Sequence, residues 1–165
     1  MTATASQLSL GIPIHQRTVL VTVETIRAAL AVDTRTVLDW VEDGTLYHVW
    51  DISAATDRTD KACRELRIWM RDVILLAGEL QGEGHQRKIA TRQLPTGLQP
   101  DVIDAIIGTQ LPGIPTKMIE RNFCCSRMLV NSLWKAGFLR GTKVAGNVYY
   151  ERTSLVEFLR DRICC

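Results

Sequence analysis

Arg127, Asn131 and Lys135 recur at four-residue spacing in a stretch whose apolar residues are Val130, Leu133 and Trp134. On a helix this spacing sets the three polar side chains along the side away from the apolar face, with Met128 and Ser132 beside them. The chemistry on offer is recognition by hydrogen bonds: a guanidinium fork, a carboxamide that donates and accepts, and an ammonium point charge. Arg and Asn pair bidentately with the edges of guanine and adenine, whereas Lys is suited to phosphate.

Bond-making chemistry is not marked in the chain. There is no Gly-rich phosphate loop and no His-Glu-x-x-His pair. Cys124 and Cys125 are adjacent, a poor spacing for ligating one metal, and they fall in a predicted turn where small apolar residues pack. Cys63 and the histidines at 15, 48 and 85 add no ligand spacing. Cys164 and Cys165 are taken as incidental, and the odd number of cysteines argues against a disulfide framework. The expectation is a protein that is not an enzyme, with no catalytic residue, metal, cofactor or small-molecule ligand.

The elements that position these side chains follow from periodicity and punctuation. Residues 1–18 are rich in Ser, Thr and Gln and read as a flexible tail. Val23, Ile26, Ala29 and Leu30 predict a helix, and Asp33 caps a second one over Thr34 to Asp43 that ends at Gly44. Residues 45–52 alternate and predict a strand or wing. A third helix is predicted from about Arg58 to Leu80, with Cys63, Leu66, Trp69, Met70, Val73 and Leu76 inward. Residues 81–111 carry Gly82, Gly84, Pro95, Gly97 and Pro100 and read as a linker, within which Asp101 caps a short helix from Val102 to Gly108. A further helix starts at Pro115 or Thr116. Ser126 caps the next, Arg127 to Ala136, which stops at Gly137. A hairpin built on Gly146-Asn147 and a last helix capped by Thr153 or Ser154 complete the chain.

The two helix pairs superimpose at a constant offset of 93 residues, derived from Gly44 and Gly137. The same offset places Ile26 on Ile119, Leu30 on Phe123, Asp33 on Ser126, Val37 on Val130, Trp40 on Leu133 and Leu46 on Leu139. An internal duplication of one supersecondary unit is the economical account.

The run from Thr22 through Asp33-Thr-Arg-Thr-Val-Leu-Asp-Trp-Val-Glu-Asp-Gly-Thr-Leu46 resembles the excisionase and MerR-like winged helix-turn-helix family, and Cys125 to Leu139 is similar. The resemblance covers about 30 residues of the first module and about 45 of the second. It implies a mainly α fold with small β wings, in tandem winged helix-turn-helix modules at 19–80 and 112–165. It also implies that the second helix of each module lies in a major groove of double-stranded DNA, with residues near its N-terminus facing base edges. In the second module the implied contacts are Arg127, Met128, Asn131, Ser132 and Lys135, joined in the wing by Arg140, Lys143 and Asn147. In the first they are Thr34, Arg35 and Thr36, with Leu38 and Asp39 also outward and His48 near the wing. Two modules would then sit in grooves about 34 Å apart.

Charge divides the modules. Residues 1–52 carry three Arg against six acids, and residues 112–165 carry nine Lys and Arg against four acids. The C-terminal third thus has the surplus that a phosphate-binding surface needs, whereas Asp39, Glu42 and Asp43 oppose phosphate in the first module. Arg58, Arg64, Arg67 and Arg71 are either a source of compensating charge or partners of Asp60, Glu65 and Asp72. No apolar run reaches the ~18 residues of a membrane span and no signal peptide is evident, so a cytoplasmic protein without membrane partners is expected, nucleoid-associated if bacterial. The functional expectation is sequence-specific DNA binding, as a transcriptional regulator or mobile-element accessory factor. The alternative is a protein–protein adaptor that binds itself or another protein through the same scaffold.

Overall fold

A computed structural model of the chain describes residues 19–54, 64–81, 100–108 and 111–164; the tail 1–18 expected from sequence, with Arg58, Asp60 and Cys63, lies outside them. Short polar side chains start three of the helices. Thr22 Oγ1 accepts from the Thr25 N–H at 3.1 Å, Asp33 Oδ1 from the Thr36 N–H at 2.7 Å, and Ser126 Oγ from the Leu129 N–H at 3.3 Å. Each side chain satisfies a helix donor that has no partner within the helix. Among the described residues there are seven helices and two small antiparallel sheets of three strands.

One order of elements occurs twice. The first unit runs β1 (Leu20–Thr22), α1 (Val23–Leu30), α2 (Thr34–Glu42), β2 (Val49–Asp51), β3 (Leu66–Trp69) and α3 (Met70–Gln81). After α4 (Pro100–Ile107), the second runs β4 (Gly113–Pro115), α5 (Thr116–Asn122), α6 (Arg127–Lys135), β5 (Gly141–Val144), β6 (Asn147–Glu151) and α7 (Arg152–Arg162). Strand orders are β1-β3-β2 and β4-β6-β5, so the last strand of each unit lies in the middle. The constant offset holds in three dimensions. Ile26 and Ile119 are buried alike, as are Val37 with Val130, Trp40 with Leu133, and Leu46 with Leu139. Ala31 and Cys124, also 93 apart, both adopt left-handed backbone in the turn between helices, with φ of 53° and 48°.

Three expectations change. Leu66, Trp69 and their neighbours are not part of a helix from Arg58. Leu66–Trp69 is the central strand, pairing Ile68 with both Val21 and Val49, and the helix begins at Met70. Four residues rich in Leu, Ile and Trp suit either state, and two strands seeking a partner decide it. The short helix expected within the linker is present as α4 but belongs to the core of the second unit, where it places Val102, Ile103, Ile106 and Ile107; residues 82–99 and 109–110 of the expected linker lie outside the described residues. Asn122 Nδ2 donates to the Ile106 carbonyl at 2.8 Å, and Arg152 ion-pairs with Asp104. Finally, α7 is not capped by Thr153 or Ser154. It starts at Arg152, and the buried Ser154 hydroxyl accepts from the Arg140 N–H at 3.1 Å.

The first sheet is buried on both faces. Val21, Val49 and Ile68 face α1, α2 and α3, whereas Leu20, Trp50 and Ile52 enter the core of the second unit with Ile114, Tyr150 and Phe158. The free edge of β2 is closed by the chain beyond α7: Trp50 bridges Ile163, and the Cys164 N–H donates to the Val49 carbonyl at 2.8 Å. Arg162 packs its guanidinium 4.3 Å from the Phe138 ring centroid and donates to the Ser53 carbonyl at 3.1 Å.

Truncation separates the helix that packs from the surface beside it. Ile106→Ala is expected to cost about 2–5 kcal/mol of unfolding free energy by urea denaturation, and Ile74→Ala on the exposed face of α3 within about 0.5 kcal/mol. Equal effects would contradict the placement of α4 in the core.

Candidate functional site

The exposed face of α6 is set by the residues that fix its ends and its inner side. Ser126 caps its start, and the chain leaves it at Gly137, whose φ of 83° suits a residue without a Cβ. Val130 and Leu133 are fully buried, and Trp134 packs edge-on to Tyr150 with ring centroids 6.2 Å apart. The opposite side carries Arg127, Met128, Ser132 and Lys135 in solvent, with Asn131 half-buried at its margin. Met128 is 80% exposed, an unusual position for a large apolar side chain. The Ser132 hydroxyl is turned back along the helix and donates to the Met128 carbonyl at 3.0 Å.

The β5–β6 hairpin extends from the same unit and is exposed from Thr142 to Asn147, bringing Lys143 and Val144 into solvent. Its turn residues are Ala145 and Gly146 rather than Gly146 and Asn147, since Val144 pairs with Asn147. Both turn residues have positive φ, 47° and 84°, the mirror-image geometry that matches the twist of a two-residue hairpin. Arg140 lies at the base of the hairpin. It ion-pairs with Glu157 at 2.9 Å and Glu151 at 3.3 Å, so its guanidinium is engaged within the unit.

Sequence reasoning missed Lys117 and Arg121, both exposed on α5. Their signal was present in the charge surplus of the C-terminal third. Among the described residues no ion pair engages Lys117, Arg127, Lys135 or Lys143.

The corresponding surface of the first unit differs. Thr34 and Arg35 are exposed and Thr36 half-buried at the start of α2, but Arg35 Nε donates to Asp39 Oδ1 at 3.0 Å. Asp33, Glu42 and Asp43 complete an acidic exposed side. The Thr36 N–H holds the Asp33 carboxyl below the usual carboxylate range, so its negative charge persists. His48, expected outward near a wing, is buried: its Nδ1 lies 3.1 Å from Asp72 Oδ2, between Tyr47 and Trp69. Of the strand or wing expected at residues 45–52, the strand is present as β2, which is buried along its whole length, and residues 55–63 between it and β3 lie outside the described residues.

Between the units, Glu65, Arg67, Glu120, Arg121 and Leu129 line an open cleft of about 530 Å³ at the start of α6. Cys125 also lines it, and burial pushes its thiol up to about 12, against the opposing pull of Arg67. A thiol so placed is protonated and unreactive at neutral pH. Among the described residues no group of three or more His, Cys, Asp or Glu is placed to hold a metal ion, and no helix is long and apolar enough to cross a membrane.

Compared with family models, curated proteins and solved structures, the chain matches none.

The strained hairpin turn supplies a test of its geometry. Ala145→Asn puts a residue tolerant of left-handed backbone beside Gly146 and is expected to stabilise the protein by about 0.5–1 kcal/mol in thermal denaturation. Destabilisation would show that the turn is not of this type.

Proposed function

We propose that the chain is a tandem winged helix-turn-helix protein that binds double-stranded DNA sequence-specifically, with the second unit making the contacts. The observation that carries this reading is the exposed face of α6, with Arg127, Met128, Asn131 and Lys135 next to a projecting β5–β6 hairpin bearing Lys143 and Asn147. Two further features support it: the strand–helix–helix–strand–strand order, with the last strand central, and the basic surplus of residues 112–165. Helix, turn, second helix and hairpin in this order are what the resemblance to excisionase and MerR-like modules implies, and a basic surplus is what a phosphate-binding surface needs.

In this reading α6 enters the major groove from its N-terminal end. Arg127 donates two hydrogen bonds to a guanine edge, Asn131 pairs with adenine, and Met128 packs on a thymine methyl group. Lys135, Lys143, Lys117 and Arg121 neutralise phosphates on either side, which positions the helix without reading sequence. Ser132 and Arg140 contribute through the protein's own framework: the Ser132 hydroxyl is bonded to the Met128 carbonyl, and Nε and Nη2 of Arg140 pair with Glu151 and Glu157. Thr34, Arg35 and Thr36 do not reach DNA: α2 presents more carboxylates than cations, and each carboxylate repels the backbone. The output is regulation of transcription or assistance to a mobile element, in the cytoplasm.

A second reading, a protein–protein adaptor, is favoured by a different surface. Ile74, Leu75 and Leu80 are each nearly half exposed on α3, and an apolar helix face in solvent is a common feature of interaction surfaces.

Titration into labelled random duplex by fluorescence anisotropy separates the two. The DNA reading expects log K to fall with log salt at a slope of about −3 to −5, corresponding to four or so neutralised phosphates. From a site chosen out of a random library, Arg127→Ala is expected to lose about 10- to 100-fold in affinity while its thermal transition is unchanged. Absence of binding at about 50 mM salt would refute the DNA reading and leave the adaptor.

A further inference from the structure

Arg67 was one of four arginines whose charge sequence reasoning offered to DNA, and the structure uses it otherwise. It is 6% exposed, in the middle of the central strand β3. Its register partners are Thr22 and Trp50, so its side chain leaves the sheet on the face that meets the second unit. There Nε donates to the Phe123 carbonyl at 2.9 Å and to the Cys124 carbonyl at 3.1 Å. Nη1 donates to the Leu66 carbonyl at 2.9 Å and to Glu65 Oε2 at 3.2 Å, which anchors the guanidinium on its own strand.

The two carbonyls it grips belong to the turn that joins α5 to α6. That turn is held at a cost. Cys124 has a φ of 48°, a conformation that disfavours any residue with a Cβ by about 1–2 kcal/mol. The amides there are held by Phe123 N–H to Ile119 O at 2.9 Å, Cys124 N–H to Arg121 O at 3.4 Å and Cys125 N–H to Glu120 O at 3.0 Å. Buried carbonyls at a helix end need donors, and here the donor comes from the other unit, some 56 residues earlier in the chain. Among the described residues the matching turn of the first unit, at Ala31, has no such clamp. The position equivalent to Arg67 in the second sheet is Tyr149, which pairs with Pro115 and Thr142 and is exposed.

From this we infer that Arg67 is a positioning residue for DNA reading. It fixes the angle and register of α6 relative to α5 from across the junction, so that the first unit sets the fidelity of the second without touching DNA. The inference rests on the DNA-binding reading above. Its physical content is separable from net charge, because a guanidinium buried against carbonyls meets no phosphate and contributes nothing to the salt dependence. Loss of the clamp leaves the basic residues in place but loosens the helix that carries Arg127 and Asn131. Bidentate base contacts need fixed geometry, whereas phosphate contacts tolerate slack.

The test compares the parent protein with Arg67→Gln and Arg67→Lys by two measurements. The first is the ratio of affinity for the selected duplex to affinity for random duplex, with the salt slope of each. The second is hydrogen exchange at the Cys124 and Cys125 amides without DNA. The expected result is a drop of about tenfold in the ratio for Arg67→Gln, a smaller drop for Arg67→Lys, an unchanged salt slope, and faster exchange at the two amides. Should Arg67→Gln fail to fold, Arg67→Lys and Glu65→Gln, which frees the guanidinium from its anchor, give the same comparison with milder effects. A folded variant that keeps the parent's ratio, with only its melting temperature lowered, overturns the proposal and leaves Arg67 a stabilising residue. A fall in the salt slope by about one overturns it in favour of a direct phosphate contact. A parent protein that prefers no site refutes the DNA reading itself, and this inference with it.

Discussion

The two small sheets share one apolar interior, and that shared burial governs the rest of the molecule. Each sheet has strands of three to five residues, too few to bury a stable core alone. The first sheet solves this by being apolar on both faces. Val21, Val49 and Ile68 cover its own helices, and Leu20, Trp50 and Ile52 complete the core built by α4, α5, α6 and α7. The second sheet buries one face and leaves Thr142 and Tyr149 in solvent. One supersecondary unit, used twice, therefore ends in two different environments.

That difference sets the two units' surfaces apart. The β2 edge is closed by Ile163 and Cys164, so β2 is covered on the side away from β3. Its His48, polar in sequence, is sunk beside Asp72 and three aromatic rings. Among its described residues the first unit presents an acidic α2 and a buried β2. The second unit keeps its hairpin and its cations exposed, and the ties that hold it are buried arginines. Arg162 reaches back to Ser53 while stacked on Phe138 and Phe158, and Arg67 reaches forward to Phe123 and Cys124. A fork of donors suits this work, because each guanidinium can satisfy several carbonyls that a junction of two backbones leaves without partners.

A rigid junction also changes how the pair could meet DNA. Modules on a free linker can settle in successive grooves. Units joined through a common core hold α6 against the first sheet before any ligand arrives, and a surface so ordered in advance pays a lower ordering cost on binding.

Much of the architecture was legible in the sequence. Capping residues Asp33 and Ser126, the glycines Gly44 and Gly137, and the apolar spacing of Ile26, Val37, Ile119 and Val130 are local signals, each interpretable within one helical turn. Their recurrence at a single offset exposed the duplication, and the exposed face of α6 follows from the same periodicity. What only the tertiary structure decided lies in segments whose local preference is ambiguous. Leu66–Trp69 is as compatible with a helix as with a strand until β1 and β2 flank it. Residues 100–107 lie among turn-forming residues, and only the cavity between α5 and α7 makes their isoleucines core. Whether Arg67, Arg140 and His48 face solvent or the interior depends on partners 11 to 56 residues away. Sequence determined the helices and the repeat because their signals are short-range; the tertiary structure decided which surface is covered, because burial is settled by contacts between residues distant along the chain.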